Sequence, residues 1–353
     1  MSTTSPQFTR PELLQRVGNL AQLGGTRHVI LNEGAAKGMA AIDVDTGAGL
    51  RFTVLPDRGM DISLCSYKGT NLVFMAPNGE VHPAFYDAAG LGWLHTFFAG
   101  LLTTCGLTTL GAPGKDGETD LGLHGRYTTI PARHVQDRSH WDDDRYCIEL
   151  AGTTEETRLF DTSLELTRTI RTAIGSRCLT VQDRIRNTGY CTSPCTILYH
   201  VNAGFPLLDQ SSVLTVTAAR SEAHDDGSRA AIAEFSRFSA PIPGYQEQNF
   251  LHQMTTGEDG LAHAAMLNPS LAGGLGLAFD PAQLPYLNEW KMLGQRDYVV
   301  GIEPCNAPCA NRAVLRQAGL LPLLEPGQTR EFSLEFRVLE GPAELQAFRE
   351  RCA

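Results

Sequence analysis

Between residues 25 and 340 the apolar positions recur with a period of two far more often than with a helical period. Ser163 to Ile174 sets Leu164, Leu166, Ile170 and Ile174 on one face, with Glu165, Thr167, Thr169 and Arg171 on the other. Cys178 to Arg186 repeats the pattern, Leu179, Val181 and Ile185 lying opposite Thr180, Gln182, Arg184 and Arg186. Arg330 to Val338 is the clearest case, with Phe332, Leu334, Phe336 and Val338 alternating with Glu331, Ser333, Glu335 and Arg337. Alternation of this length is the pattern of a half-buried strand in an antiparallel sheet. Further strands are expected at Val29–Asn32, Met39–Val44, Leu50–Leu55, Ile62–Tyr67, Leu72–Met75, Tyr127–Val135, Tyr146–Gly152, Thr196–Asn202, Val213–Val216, Leu275–Phe279 and Tyr298–Glu303. Turn residues such as Lys68-Gly69, Asn187-Thr188-Gly189 and Pro326-Gly327 separate them.

Helical signals are confined to the ends. Pro11 suits an early helical position, and Leu13, Leu14, Val17, Leu20 and Leu23 follow at near-helical spacing until Gly24-Gly25. This predicts a short helix in an N-terminal extension of residues 1–25, and Pro342 to Arg349 predicts another in the tail 342–353. Arg220–Gly260 is polar and irregular and reads as loops. The elements predict an all-β fold, a large sandwich or barrel, in one domain over residues 1–353.

Composition narrows the function. The 353 residues are 42% hydrophobic and 19% charged, an ordinary globular mixture, and 35 glycines and 19 prolines suit a chain rich in turns. A net charge of −10 gives no electrostatic footprint for nucleic acid or anionic lipid. No apolar tract approaches the roughly 20 residues of a membrane span. The N-terminus, Met-Ser-Thr-Thr-Ser-Pro, lacks the basic and apolar regions of a signal peptide, so an unexported, cytoplasmic protein is expected. The nine scattered cysteines then read as free thiols. Cys191/Cys195 and Cys305/Cys309 form two C-x3-C pairs, a spacing unlike the common zinc knuckle, and no metal is expected. Motifs for metalloproteases, phosphate loops and serine hydrolases are absent.

Five segments carry candidate chemistry. Pro56-Asp57-Arg58-Gly59-Met60-Asp61 holds an arginine between two carboxylates. It reads either as a guanidinium aimed at a ligand or as a tight turn with a local salt bridge. Gly122-Leu123-His124-Gly125-Arg126 displays a histidine among glycines that admit a ligand close to the chain. In Thr196 to Asn202, alternation puts Ile197, Tyr199 and Val201 on the apolar face, so Leu198, His200 and Asn202 line the other. Glu303 ends an apolar strand, with Gly301 leaving room beside it and Pro304 holding it extended. Leu284 to Lys291 offers Trp290 with polar neighbours, including Lys291, as a stacking surface for a sugar ring. Each segment also has an ordinary structural reading.

In their order along the chain, these segments resemble the galactose mutarotase-like (aldose 1-epimerase) superfamily. Asp57-Arg58-Gly59-Met60-Asp61-Ile62, Gly100 to Gly111, Leu123-His124-Gly125-Arg126, Tyr199-His200-Val201-Asn202, Pro206-Leu207-Leu208-Asp209, Glu289-Trp290-Lys291, Glu303-Pro304 and Leu324 to Gln328 carry the likeness. Within it, the closer match is to a bacterial branch known only as a domain of unknown function related to aldose 1-epimerase. The resemblance implies a β-supersandwich of large antiparallel sheets, a small-molecule carbohydrate as partner and no cofactor, and it leaves a homodimer open. It implies anomer interconversion on a free sugar, with His200 as general acid, Glu303 as general base and His124 as a second histidine contact. Asp209 would bind a hydroxyl, and Arg58 would be the substrate arginine, with Arg126 as its rival. Mutual attraction is expected to raise the His200 pKa and lower that of Glu303. The alternatives are a non-catalytic carbohydrate-binding or sensor protein on the same fold, or another sugar isomerase, epimerase or lyase.

Overall fold

A computed structural model describes residues 8–352. Two large antiparallel sheets and a smaller meander build it. The larger sheet has nine strands: His140–Asp142 and Arg133–Asp137 both pair with Arg145–Thr157, and the order continues through Ser163–Ala173, Cys178–Asn187, Thr329–Glu340, Gly273–Phe279 and Ala262–Asn268 to Val213–Val216. The second sheet has six strands, in the order Ala218–Ala223, Gln248–Met254, Tyr286–Leu293, Tyr298–Cys305, Thr196–Gly204 and Thr103–Leu107. A five-stranded meander runs from Gly25–Ile30 to Thr70–Asn71. This is the expected all-β sandwich. No helix among the described residues is long and apolar enough to cross a membrane.

The alternating strands bury the faces their sequences mark. Leu164, Leu166, Ile170, Leu179, Val181, Ile185, Phe332, Leu334 and Phe336 meet Ile197, Tyr199, Val201, Val300 and Ile302 of the second sheet in one apolar core. Arg168 falls on the apolar face of its strand and is fully buried. A buried charge must be paired, and Arg168 binds Asp61 at 2.8 Å and Asp183 at 2.7 Å. The Tyr199 hydroxyl donates to the same Asp183 carboxylate.

Thr196–Gly204 and Tyr298–Cys305 are buried on both faces. Their second face carries no sheet; the loops before and after Thr103–Leu107, residues 76–102 and 108–110, cover it with Trp93, Phe97, Ala99 and Leu110, packed on Leu198 and Cys305. The candidate chemistry lies under this loop cover.

Several expectations are corrected. Arg220–Gly260 is not all loop, because Gln248–Met254 is an interior strand of the six-stranded sheet. Its polar residues hid it, and His252 among them is fully buried against Glu289. The N-terminal helix is two short pieces, Arg10–Leu14 and a 3-10 turn at Leu20–Gln22, each closed by its own capping box. Tyr127–Thr129 is a 3-10 turn, and the strand there starts at Arg133. Leu72–Met75 makes only isolated bridges. The C-terminal helix spans Pro342–Arg351.

Candidate active site

The six-stranded register decides which side chains meet. Asn202 lies opposite Gly301, and Glu303 lies opposite Asn288 on the next strand. His200 and Glu303 therefore emerge side by side on the loop-covered face, with Nε2 and Oε1 3.1 Å apart. They are 4% and 1% exposed. Gly301 leaves room between them, since a Cβ there would stand 2.1 Å from Glu303 Oε1 and 3.1 Å from His200 Cε1 and would displace the carboxylate.

The polar atoms of this cluster are only half used. The Asn288 side-chain amide donates to Glu303 Oε2 at 2.7 Å. That of Asn202 donates to the carbonyls of Gly100 and His200, leaving its own oxygen free. Eight buried side-chain polar atoms among the described residues lack a hydrogen-bond partner. Five of them, His200 Nδ1, Asn202 Oδ1, Asn288 Oδ1, Glu303 Oε1 and Trp93 Nε1, belong to this cluster. Buried polar groups are nearly always satisfied, so this concentration of unsatisfied ones sets the cluster apart from the rest of the interior.

His124 completes the group. Its backbone is left-handed, with φ +57°, and Gly125 beside it packs so closely that a Cβ would lie 2.4 Å from the Gly106 carbonyl. The His124 Nδ1 meets the Leu110 carbonyl at 2.8 Å. A carbonyl only accepts, so Nδ1 carries the proton and Nε2 is left as an acceptor. The His124 and His200 rings are 5.8 Å apart, edge to face. Phe97 and Trp290 flank His200 at 5.1 and 5.6 Å, and Trp93 stacks on Phe97 at 4.4 Å. The Trp290 indole N–H is fixed by the exposed Glu247 carboxylate at 2.8 Å.

Burial sets the charges. It drives the His200 pKa well below the usual imidazole value, with His124 adding to the fall. It lowers His124 to about 4. It raises Glu303 to about 8; the Asn288 hydrogen bond opposes this, and the charges of Glu289 and Glu247 add to it. This reverses the expectation that attraction would charge both partners: the cost of desolvating two ions exceeds their mutual gain. The pair is best described as sharing one proton.

The remaining candidates divide. Arg58 is fully buried and spends its guanidinium on the carbonyls of Val81, Thr96 and Thr128, above the Phe98 ring. Its neighbours do not pair with it as a local salt bridge either: Asp57 accepts from the Ala40 amide and Asp61 joins Arg168. Arg126 is exposed, with its guanidinium 6.0 Å from the ring of Tyr86, which packs on the aromatic cluster. Lys291 lies on the opposite face of its strand from Trp290 and binds the carbonyls of Glu234 and Arg237 at 2.8 and 2.6 Å. Asp209 follows the histidine strand, its amide donating to Ser212 Oγ. No hydrogen bond or ion pair joins its carboxylate to His200 or Glu303 among the described residues. Asn288, Trp93, Phe97 and Glu247 escaped the sequence reading. Alternation within Tyr286 to Lys291 pairs Asn288 with Trp290 on one face, a signal that was available for Asn288; the others arrive from loops. The nine cysteines are free, and no group of three or more His, Cys, Asp or Glu among the described residues is arranged to hold a metal ion.

Comparison with known proteins agrees with this architecture. A Klebsiella pneumoniae structure, provisionally named an aldose 1-epimerase, superposes with a TM-score of 0.89 at 25% identity, covering 95% of this chain and 90% of that one. A galactose mutarotase-like protein from Clostridium acetobutylicum gives 0.64 at 13% identity, covering 90% and 99%. Galactose 1-epimerase from Lactobacillus acidophilus gives 0.58 at 13%, with the same coverage. The last two likenesses establish the fold alone. No curated protein matches the chain. A family model matches residues 36–338, and with that span the chain belongs to the family described as a domain of unknown function, DUF4432.

Proposed function

We propose that this protein interconverts the anomers of a free sugar, with His200 and Glu303 exchanging protons with the two oxygens on the anomeric carbon. The observation that carries the reading is the clustering of five unpartnered buried polar atoms, the Trp93 indole nitrogen among them, with the Phe97, Trp290 and Trp93 rings. Hydroxyls of a sugar would satisfy such atoms, and its C–H face would lie on the rings.

The close spacing of the pair suits this chemistry. The anomeric hydroxyl and the ring oxygen share one carbon, so acid and base belong side by side rather than across the ring. One member takes the hydroxyl proton while the other protonates the ring oxygen. The C1–O5 bond breaks, the aldehyde forms and turns about C1–C2, and the reverse transfers close the ring on its other face. The pair starts and ends with one shared proton, so no external acid is consumed. With its Nδ1 proton spent on Leu110, His124 offers Nε2 to a substrate hydroxyl. Asn202, Asn288 and Glu247 are further contacts, and Arg126 lies beyond Tyr86 at the edge. Arg58 and Lys291, engaged elsewhere, take no part in this reading.

Activity requires the singly protonated pair. As pH rises through about 8, Glu303 loses its proton and the acid is gone. As pH falls below the usual imidazole range, His200 becomes protonated and the base is gone. The profile is a bell with Glu303 on the alkaline limb. The test is a screen of neutral aldoses, ketoses and uronic acids by polarimetry or NMR saturation transfer. Acceleration of anomer exchange on at least one of them is expected. Saturable sugar binding without acceleration would replace the reading with a binding protein, and solvent deuterium entering a ring carbon would replace it with another epimerase or a lyase.

A further inference from the structure

Trp93 is the odd member of the aromatic cluster. It lies in the 3-10 turn Gly92–His95 of the covering loop, where Leu91 and Leu94 are exposed and the indole is 1% exposed. The turn is firmly held. The Trp93 carbonyl accepts from the Thr96 amide and hydroxyl, and the Asn78 side-chain amide donates to the carbonyls of Leu94 and Phe97. The ring is fixed between two others. It stacks on Phe97 at 4.4 Å and 25°, and it meets the His124 imidazole at 4.7 Å and 62°.

A buried tryptophan usually finds a hydrogen-bond partner for its N–H. Trp290, in the same cluster, has Glu247; the Trp93 N–H has none. The N–H lies in the indole plane, so the ring stacked on that plane does not accept it. An indole nitrogen only donates. Its idle neighbours are of the opposite kind. The free side-chain oxygens of Asn202 and Asn288 only accept, and His124 Nε2 accepts because Nδ1 is spent on Leu110. Outside the His200–Glu303 pair, whose protons move, Trp93 is the single idle donor of the cluster among the described residues.

A hydroxyl matches both kinds of group, since it accepts and donates at one oxygen. We infer that Trp93 is a specificity-determining residue that selects for a hydroxyl. Its N–H donates to a substrate oxygen on the side of the sugar that His124 holds, and that hydroxyl or its neighbour gives its own proton to His124 Nε2. An O-methyl group at that position would serve Trp93 alone, and a hydrogen would serve neither. A site built to bond a hydroxyl rejects the analogue that lacks it, because its buried polar groups are then left unpaired. The inference rests on the reading of this cluster as a sugar site, and not on the exchange of anomers there.

The test uses the full chain labelled with 15N. The probes are D-glucose, D-galactose, D-fructose and D-glucuronate, with the monodeoxy analogues of the tightest binder. Trp93, Trp141 and Trp290 are the three tryptophans of the chain. Their indole N–H signals are assigned by loss in Trp93→Phe, Trp141→Phe and Trp290→Phe. If Trp93→Phe does not fold, the other two variants leave the Trp93 signal by elimination. A bound sugar is expected to move the Trp93 indole proton downfield, as a newly made hydrogen bond does. One monodeoxy analogue is expected to bind about five- to a hundredfold more weakly and to leave that signal near its free position. Trp93→Phe, which keeps a ring on Phe97, should bind the parent sugar more weakly by a similar factor and lose its discrimination against that same analogue. A Trp93 signal unmoved by a sugar that shifts Trp290 overturns the inference. So does a folded Trp93→Phe that discriminates as the parent does, or a panel that moves no indole signal. The expected signature in a protein that accelerates no sugar's anomer exchange leaves the inference standing and removes the functional reading. Accelerated exchange with an unmoved Trp93 signal removes the inference alone.

Discussion

The two histidine–glutamate pairs of the six-stranded sheet are made of the same residues at nearly the same separation, 3.1 Å on one face and 3.2 Å on the other. What differs is satisfaction. On the reverse face His252 uses both ring nitrogens, one on Glu289 and one on Ser221, and only Glu289 Oε1 is left over. On the front face the 3.1 Å contact is not aligned as a hydrogen bond, and His200 Nδ1 and Glu303 Oε1 are both left over. The surroundings differ in the same sense. Phe235 and the apolar core seal the reverse pair, whereas the front pair lies among three aromatic rings, two asparagines with idle oxygens and a third acceptor on His124. A nearly completed network holds a strand in place; one with many idle groups has capacity for something else.

The sharpest test of this contrast is to break each pair in turn. Glu303→Gln is expected to slow anomer exchange on a cognate sugar by at least about a hundredfold, with little loss of stability. His252→Gln should do the reverse, lowering stability by about 1–3 kcal/mol by breaking the buried hydrogen-bond chain from Ser221 to Glu289, with a smaller effect on turnover. Polarimetry and urea denaturation measure the two. If His252→Gln loses as much activity as Glu303→Gln, satisfaction does not separate the faces. Next in size is a contrast of arginines. Arg58→Met strands the carbonyls of Val81, Thr96 and Thr128 and should cost about 3 kcal/mol, whereas Arg126→Gln should stay within about 0.5 kcal/mol and show itself in KM. Sugar affinity lost in folded Arg58→Met would return Arg58 to the site.

That contrast also measures how far the sequence could be read. The strands around Leu166, Val181 and Phe336 were legible because one polar face and one apolar face imprint a period of two. The same rule correctly sent Tyr199 to the core and His200 to the other side. It failed for Gln248–Met254, where the buried face carries His252 and the polarity that reads as loop belongs to an internal hydrogen-bonded network. Arg58 was misread because its acids are neighbours only along the chain. Asp61 is drawn off by Arg168, over a hundred residues away, and the partners of Arg58 are carbonyls, which every sequence has and none displays. The direction of the proton affinities was missed for a related reason. Residue types announce an attraction between His200 and Glu303, but the depth of the desolvation opposing it belongs to the loops of residues 76–102 and 108–110 folding over them.

A smaller lever acts on the front pair alone. Gly301 has ordinary extended dihedrals, so alanine is tolerated by the backbone, yet its methyl would press on Glu303 Oε1 and the His200 ring. Gly301→Ala should lose more than about tenfold in turnover through misplacement of the pair, while the reverse pair is undisturbed. Unchanged turnover would mean that the pair's spacing is immaterial.

The smallest expected effect follows from the proton that Glu303 keeps. In the folded chain it is held up to about pH 8, whereas an unfolded carboxyl releases it near its ordinary 4.5. Between those values the folded state binds the extra proton, so the Glu303 share of stability is present at low pH and is lost as pH rises through that window. His200 works oppositely: its folded affinity is lowered, so its share is lost as pH falls through the imidazole range. The two slopes partly cancel in the parent protein, and only a variant separates them. Glu303→Gln should therefore match the parent near pH 4.5 and exceed it by at least about 1 kcal/mol at pH 8, read from urea midpoints at both values. A parent that is equally or more stable at pH 8 would mean that Glu303 ionises freely there, and that the front face is wetter than the reverse one rather than merely less satisfied.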